Sequence, residues 1–203
     1  MVHIFASDSQ ILERLEKIDS YITKLLTENL HPDLYFHNAA LTLDSEKGVV
    51  AVADTLARIE GITEKDKELL LAAAYFQYTG FIYKREDNKN ISTNIAKDIL
   101  YLYRYKYPEI REIISLILST NSISPPKSHL EKILRDANLD YLGRQDFFDK
   151  NDALRRELEV QNREIWYRQT LNFLAQHTYY TNASNILREK QKQENIKKLK
   201  SLI

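Results

Sequence analysis

Apolar residues recur along this chain mostly at steps of three and four positions, and this spacing constrains the fold more than any other feature. A helix returns to the same face at those steps, whereas a strand alternates at every second residue. Only 4 glycines and 4 prolines interrupt the 203 residues, so the breaks between repeating segments are few and short. The pattern predicts an all-α protein: a helical bundle with a C-terminal helical extension.

The repeating segments are expected to form about nine helices joined by short loops. The first covers about 9–29, with Ser7 or Asp8 as its cap. The segment 34–60 has helical spacing at both ends but is broken at 45–48. The other helices are expected to start at Thr63 and end near Gly80, and then to cover 92–105, 108–119, 128–136, 146–160, 162–177 and 182–201, with loops at 84–90, 121–126 and 140–144.

All of these helices are expected to belong to one domain, because 203 residues with 43% apolar content suit one sizeable core. Residues 1–30 would form a helix that packs on the core. Residues 31–160 would form the main helical domain, and residues 161–203 would complete it. The run 69–74 is apolar on every face, so its helix should lie at the centre of the bundle.

Charge and composition exclude several classes of function. Lys+Arg and Asp+Glu balance at 29 each, so no net field draws the protein to nucleic acid or to an anionic membrane. Cysteine is absent, which excludes disulfides and thiolate metal ligands. The apolar start at 1–6 is too short for a signal peptide, and no apolar run approaches the roughly 20 residues of a membrane span. These features predict a cytoplasmic protein with no membrane partner.

Two basic segments could bind a charged partner, but each has a simpler structural explanation. The odd positions of 101–107 are tyrosines, interleaved with basic residues, and such a mixture can stack on nucleic-acid bases. On a helix, however, residues two apart point in different directions. We therefore expect the tyrosines to divide between core edge and surface, and we expect no nucleic-acid partner. The basic residues at 155–156 and 188–200 are offset by glutamates, including Glu157, and are expected on a solvated face.

The last predicted helix carries a discontinuous apolar stripe. Its members are Ile186, Leu187, Ile196, Leu199, Leu202 and Ile203. Such a stripe can dock on the helix's own domain or on a second subunit. A protein partner or a homo-oligomer therefore remains open at this point.

Four separated stretches carry a resemblance to a known family. Residues 34–42 read LYFHNAALT, residues 73–81 read AAYFQYTGF and residues 133–144 read ILRDANLDYLGR. They are followed by Trp166, Gln169, Phe173, Leu174, His177, Tyr180 and Thr181. In this order they resemble the Y-H-N-x-x-H-T, A-L-F-H-D-T-G-F and D-A-D-L-D-Y-L-G-R segments and the C-terminal tail of the HD superfamily. The resemblance is to a bacterial branch of small predicted metal-dependent phosphohydrolases, and it extends over roughly residues 30 to 200.

The resemblance implies a metal site whose ligands this chain has lost. The family holds divalent ions such as Mn, Fe or Mg with a histidine, an adjacent His-Asp pair and a later aspartate. The first histidine falls on Leu41, or on Ser45 in a shifted alignment, and the pair reads Gln77-Tyr78. The later aspartate reads Asn138, whose amide oxygen is a weak neutral substitute. We therefore expect no metal ligand, no cofactor and no catalytic residue.

His37 remains at the position of a histidine that donates a proton in related phosphodiesterases. Two interpretations stay open: a proton donor, or a helix histidine hydrogen-bonded near the core, which we favour because no activated water would accompany the donor. The family's H-E-x-x-S segment falls on 88–92 and keeps only Ser92, which is expected to cap a helix.

The resemblance also implies that the former ligand positions surround one cavity. Its residues would be His37, Leu41, Gln77, Tyr78, Asp136 and Asn138. The cavity could remain open as a polar pocket for a small molecule or nucleotide. Alternatively, Tyr78 could fill it while Gln77 and Asn138 make structural hydrogen bonds. We favour the filled cavity.

These features together predict a catalytically inactive HD-like pseudoenzyme that acts as a small-ligand or nucleotide-binding module, or as a protein-interaction module. The alternative is a divergent metal-dependent phosphohydrolase acting on a nucleotide or small phosphate ester, with a rearranged metal site built from Asp136, Asp140 or His37. A serine or cysteine hydrolase is not indicated, because cysteine is absent and no G-x-S-x-G segment occurs.

Overall fold

A computed structural model describes residues 8–203, and over this range the chain forms helices joined by loops, with no strand. The predicted all-α class is confirmed. The predicted cap Ser7 and the apolar start at 1–6 lie outside the described residues. The α-helices are α1 (Asp8–Asn29), α2 (Ala39–Leu43), α3 (Val49–Ile59), α4 (Glu64–Phe76), α5 (Asn88–Leu102), α6 (Tyr107–Ser119), α7 (His129–Asn138), α8 (Phe147–Glu157), α9 (Arg163–Gln176) and α10 (Asn182–Lys200), with 3-10 turns at Thr79–Ile82 and Asp140–Gly143.

Helix α4 lies at the centre of the bundle, as its sequence predicts. Its residues 69–74 are all buried, and the helix contacts α1, α3, α5, α6 and α7. The side chain of Thr63 accepts a hydrogen bond from the backbone N–H of Asp66 and so caps the helix. The segment that follows α4 is therefore held against the core, where it can present side chains to neighbouring helices.

One large apolar core joins helices from most of the chain. It runs from Ile18 on α1 to Ala137 on α7 and includes Ala183 at the start of α10. A second, smaller cluster around Phe147 and Leu199 packs α8, α9 and α10 together. Within residues 8–203, no helix is both long enough and apolar enough to cross a lipid bilayer.

The segment 34–48 is less helical than predicted. Only α2 is helical there, and it begins at Ala39 because Asn38 caps it by accepting a hydrogen bond from the N–H of Leu41. His37 therefore precedes a helix instead of lying on one. The predicted break at 45–48 is confirmed, and α3 starts directly after it.

Helix α5 starts earlier than the predicted loop at 84–90 allowed. Asp87 adopts a left-handed conformation with φ 61°, which an aspartate tolerates better than most residues. Asn88 and Lys89 then form the first turn of the helix. Ser92 is not a cap: its hydroxyl is buried, accepts from the N–H of Gly80 (2.8 Å) and donates to the carbonyl of Gln77 (3.2 Å). Hydrogen bonds to the turn after α4 thus position this end of α5.

The tyrosines of 101–107 divide as predicted between core and surface. Tyr105 is 4% exposed, whereas Tyr101 and Tyr107 are 75% and 71% exposed. They lie at the end of α5 and the start of α6, so they do not form one continuous stacking surface.

Helix α10 buries its apolar stripe only in part. Ile196 and Leu199 are buried, but Ile186 is 81% exposed, and Leu187 and Leu202 are also exposed. The apolar side chains at 186–187 and those at 196–199 fall on different faces of a straight helix. Within the stripe, only Ile196 and Leu199 are therefore buried against the domain.

Buried polar groups complete the docking of α10, against the expectation that its charges face solvent. Lys192 is 2% exposed; its Nζ donates to the carbonyl of His177 (2.9 Å) and lies 2.7 Å from Glu189. Asn195 donates to the backbone carbonyls of Leu142 and Arg144. The helix is thus held by specific hydrogen bonds as well as by apolar contact.

Candidate functional site

A cavity of about 510 Å³ opens where the segments before α2 and after α4 meet helices α5, α7 and α9. Its walls include His37, Tyr78, Lys89, Arg135, Asn138 and His177. Aromatic side chains also line it, together with polar residues from the ends of α6 and α9. The volume is typical of sites that bind small molecules.

Only three of the six predicted site residues line this cavity: His37, Tyr78 and Asn138. Leu41 is 6% exposed and packs in the main apolar core. Gln77 is fully buried, and its Nε2 is 3.5 Å from the carbonyl of Ala74. Tyr78 forms part of the wall of this open cavity, whereas Leu41 and Gln77 are buried away from it.

Asp136 holds two helices together and does not line the cavity. It is 1% exposed, and its carboxylate accepts from the N–H of Tyr180 (3.0 Å) and from the N–H and hydroxyl of Thr181 (2.8 and 2.7 Å). Burial raises the pKa of Asp136, and these three donors oppose that rise. Its two oxygens are therefore committed to the start of α10, and we assign it a structural role.

His37 is held in one orientation by Glu157, a residue that the sequence placed on a solvated face. Glu157 is 6% exposed; its Oε1 is 2.5 Å from His37 Nδ1, and its Oε2 accepts from the N–H groups of Phe36 and His37. Burial works to raise the pKa of Glu157, but these hydrogen bonds and the charge of His37 outweigh it and hold the pKa below its usual value. Nε2 is therefore the ring nitrogen of His37 that Glu157 leaves unbonded.

The His37 ring is also fixed by its aromatic neighbours. It stacks on Phe81 with 4.1 Å between ring centres and meets the edge of Tyr78 at 5.6 Å. Sequence reasoning could not identify Glu157 as its partner, because the two residues are 120 positions apart. This pair can hold or transfer a proton at the cavity wall.

Lys89 contributes an amine to the cavity. Its Nζ donates to the carbonyl of Gln77 (3.1 Å) and lies 4.5 Å from the centre of the Tyr78 ring. Burial lowers its pKa to about 7. Gly80 makes this position possible, because a Cβ there would lie 2.0 Å from the carbonyl oxygen of Asn88. The close approach of the two backbones brings the first turn of α5 to the cavity.

Five buried polar atoms without hydrogen-bond partners belong to residues that line this cavity: Oδ1 of Asn88, Nε of Arg135, Oδ1 of Asn138 and both ring nitrogens of His177. Buried polar atoms are usually hydrogen-bonded, so a group of unpaired ones needs an explanation. Burial lowers the pKa of His177 to about 4, so its ring is neutral at pH 7 and offers one donor and one acceptor.

The charge of the cavity wall is positive. Lys89 and Arg135 are its lysine and arginine, and no aspartate or glutamate is present among the described residues that line it. The sequence did not single out either cation. In the resemblance, Lys89 falls on the glutamate of the H-E-x-x-S segment. This exchange of a negative for a positive charge was the sequence signal that could have identified Lys89 as a cavity residue.

The residues at the resemblance positions do not fit a divalent metal ion. Leu41 has no donor atom, and burial raises the pKa of Tyr78 well above its usual range, which opposes the phenolate form. Asp136 is bonded to α10, and Asp140 pairs with Arg188 (2.5 Å) and Arg144 (3.5 Å). Within residues 8–203, no group of three or more histidines, aspartates and glutamates could hold a metal ion.

Comparison with known proteins found no match for this chain among family models, curated proteins or solved structures. The resemblance to the HD superfamily therefore rests on the motif residues themselves.

Proposed function

We propose that this protein binds a small phosphate-bearing ligand, such as a nucleotide, and does not hydrolyse it. The observation that carries the proposal is the presence of Lys89 and Arg135 in a cavity whose described lining has no carboxylate. A phosphate monoester carries one to two negative charges at neutral pH, and cationic donors in a partly buried site bind it through charge-assisted hydrogen bonds.

The unpaired polar atoms and the aromatic wall support the same proposal. Asn138, Asn88 and His177 offer acceptors and a donor that could recognise the polar edge of a base or sugar. Aromatic side chains, including Tyr78, Tyr141 and Phe173, line the same space and provide flat apolar surface for a ring. A nucleotide combines these three kinds of group in one molecule.

We further propose that the chain is a degenerate member of the HD superfamily. The first three motif segments and the tail all contribute to one cavity, through His37, Tyr78, Asn138 and His177. Such convergence is expected of segments inherited from an enzyme with one active site. In this proposal, the cationic groups of Lys89 and Arg135 bind the anion that metal ions would have bound.

Calorimetric titration with AMP and with adenosine, in buffer containing EDTA, tests the proposed binding. AMP should bind at least about tenfold more tightly than adenosine, because only AMP carries the phosphate. Lys89→Met and Arg135→Met should each weaken AMP binding by about tenfold. Lys97→Met is the matched control, since Lys97 is exposed on the same helix and does not line the cavity.

Two results would contradict this function. Equal affinity for AMP and adenosine would show that the phosphate is not recognised, and the absence of heat with AMP and with inorganic phosphate would exclude an anion site. Release of phosphate from AMP that requires Mn²⁺ would instead favour the divergent phosphohydrolase.

A further inference from the structure

An ion pair between Glu157 and Arg85 holds two residues of the cavity wall. Oε1 of Glu157 lies 3.2 Å from Nη1 of Arg85, and Nη2 of Arg85 donates to the backbone carbonyl of Glu157 (3.0 Å). Glu157 also bonds His37, and the backbone carbonyl of Arg85 bonds Asn88. Because His37 and Asn88 both line the cavity, the pair fixes the orientation of two side chains at the ligand site.

Glu157 determines which nitrogen of His37 carries the hydrogen. The pKa of Glu157 is held below its usual value, so the carboxylate is ionised at neutral pH and can only accept hydrogen bonds. Its Oε1 is 2.5 Å from Nδ1 of His37, and Nδ1 is therefore the protonated nitrogen. In the neutral ring the lone pair is on Nε2, which Glu157 leaves unbonded. His37 thus adds a hydrogen-bond acceptor to the residues that line the cavity.

Arg85 orients the amide of Asn88. Nδ2 of Asn88 donates to the backbone carbonyl of Arg85 (2.6 Å). This hydrogen bond identifies the nitrogen end of the amide, so the opposite end is Oδ1, an acceptor. Oδ1 is buried, and no donor in residues 8–203 bonds it. A buried acceptor without a donor is unfavourable, and a ligand that supplies a donor relieves this.

We propose that the ligand of this cavity carries sugar hydroxyl groups, and that Nε2 of His37 and Oδ1 of Asn88 accept hydrogen bonds from them. The inference rests on the proposed function and adds the sugar to the phosphate as a recognised group. Lys89 and Arg135 can only donate hydrogen bonds, and they bind the phosphate. The acceptors bind a different part of the same ligand, one that has donors.

The position of the two acceptors favours a sugar hydroxyl over an amino group of a base. Asn88 precedes Lys89 in the first turn of α5. The His37 ring and Nζ of Lys89 both lie near the Tyr78 ring, at 5.6 and 4.5 Å from its centre. Both acceptors therefore lie close to the phosphate-binding lysine. In a nucleotide the ribose is attached directly to the phosphate, whereas the base is separated from the phosphate by the ribose.

Calorimetric titration of the full chain with AMP, dideoxy-AMP, adenosine and dideoxyadenosine tests the inference. The dideoxy compounds lack both ribose hydroxyls, so the four ligands separate the effect of the hydroxyls from that of the phosphate. AMP should bind at least about tenfold more tightly than dideoxy-AMP, because two hydrogen bonds are lost and two acceptors stay unpaired. Adenosine should exceed dideoxyadenosine by a similar factor.

Two variants assign the hydroxyl contacts to residues. His37→Phe removes the acceptor but keeps an aromatic ring beside Phe81 and Tyr78. It should weaken AMP binding about three- to tenfold and leave the affinity for dideoxy-AMP unchanged. Asn88→Ala should give the same pattern and tests the second acceptor independently. His31→Ala is the matched control, since the His31 side chain is 70% exposed and does not line the cavity.

Three results would separate this inference from the proposed function. Equal affinity for AMP and dideoxy-AMP would overturn the inference, and tighter binding of AMP than of adenosine would then leave the phosphate site intact. Equal weakening of AMP and dideoxy-AMP by His37→Phe would show that His37 does not bind the hydroxyls and would also overturn it. A preference for the hydroxylated compounds with equal affinity for AMP and adenosine would support the hydroxyl contacts and reject only the phosphate site.

Discussion

Asp136 and Asn138 lie two positions apart on α7 and have opposite environments. Three donors from the start of α10 satisfy the carboxylate of Asp136, whereas Oδ1 of Asn138, a residue that lines the cavity, has no partner. The contrast extends to their surroundings: the backbone N–H groups of Tyr180 and Thr181 are paired with Asp136, whereas several polar atoms of residues that line the cavity have no partner. The joint between α7 and α10 therefore serves the fold, and in the proposed function the unpaired groups of the cavity serve a ligand.

Asp136→Ala should give the largest effect, because it removes a buried carboxylate and leaves three donors without an acceptor. The free energy of unfolding should fall by about 3 kcal/mol, measured by urea denaturation. Asn138→Ala should cost less than about 1 kcal/mol, since no hydrogen bond of its Oδ1 is lost. Equal losses in the two variants would remove the distinction between joint and cavity.

Glu157→Gln should give the next largest effect. It weakens the hydrogen bond that orients His37 and those that the carboxylate accepts from two backbone N–H groups. We expect a loss of about 2 kcal/mol at pH 7. The folded-state pKa of Glu157 is lowered, so its contribution is full above the unfolded-state pKa and is lost as the pH falls through the folded-state value. The difference between variant and wild type should therefore shrink below about pH 4.5. A constant difference down to pH 3 would contradict this assignment.

Lys89→Met should stabilise the protein, whereas removal of the charged side chain at the joint, in Asp136→Ala, should destabilise it. Burial lowers the folded-state pKa of Lys89 to about 7. At neutral pH the unfolded chain therefore binds a proton at this amine more strongly than the folded chain does, and this difference favours unfolding. Removing the amine should raise the melting temperature at pH 7 by about 2–4 °C. The difference in melting temperature between the variant and the wild type should shrink as the pH rises from 7 towards 10, where wild-type folding no longer releases this proton. A lower melting temperature would show that Lys89 is a structural residue.

The pH dependence of AMP binding should give the smallest effect. AMP binds best when Lys89 is charged, so affinity should fall about three- to tenfold as the pH rises from 6 to 8, through the pKa of about 7. The phosphate of AMP gains negative charge over part of this pH range, which strengthens its binding and opposes the effect of charge loss at Lys89. Lys89→Arg reports that contribution alone, because its charge does not change. An identical pH profile for variant and wild type would exclude Lys89 as the titrating group.

The sequence by itself determined the helical class, the central position of α4 and the break at 45–48. These features depend on interactions between residues a few positions apart: the spacing of apolar side chains, the cap at Thr63 and the scarcity of glycine and proline. The motif segments also indicated that His37, Tyr78 and Asn138 belong near one another, and the structure brings these three to one cavity.

Only the tertiary structure decided the character of that cavity. The partner of His37 lies 120 positions away, and Asp136 finds its donors 44 and 45 positions away. Lys89 reaches the wall because the backbones at Gly80 and Asn88 touch. Local spacing cannot encode these contacts, because hydrogen bonding and burial depend on which segments meet, and that same burial lowers the pKa of Lys89 and leaves the polar atoms of the cavity unpaired.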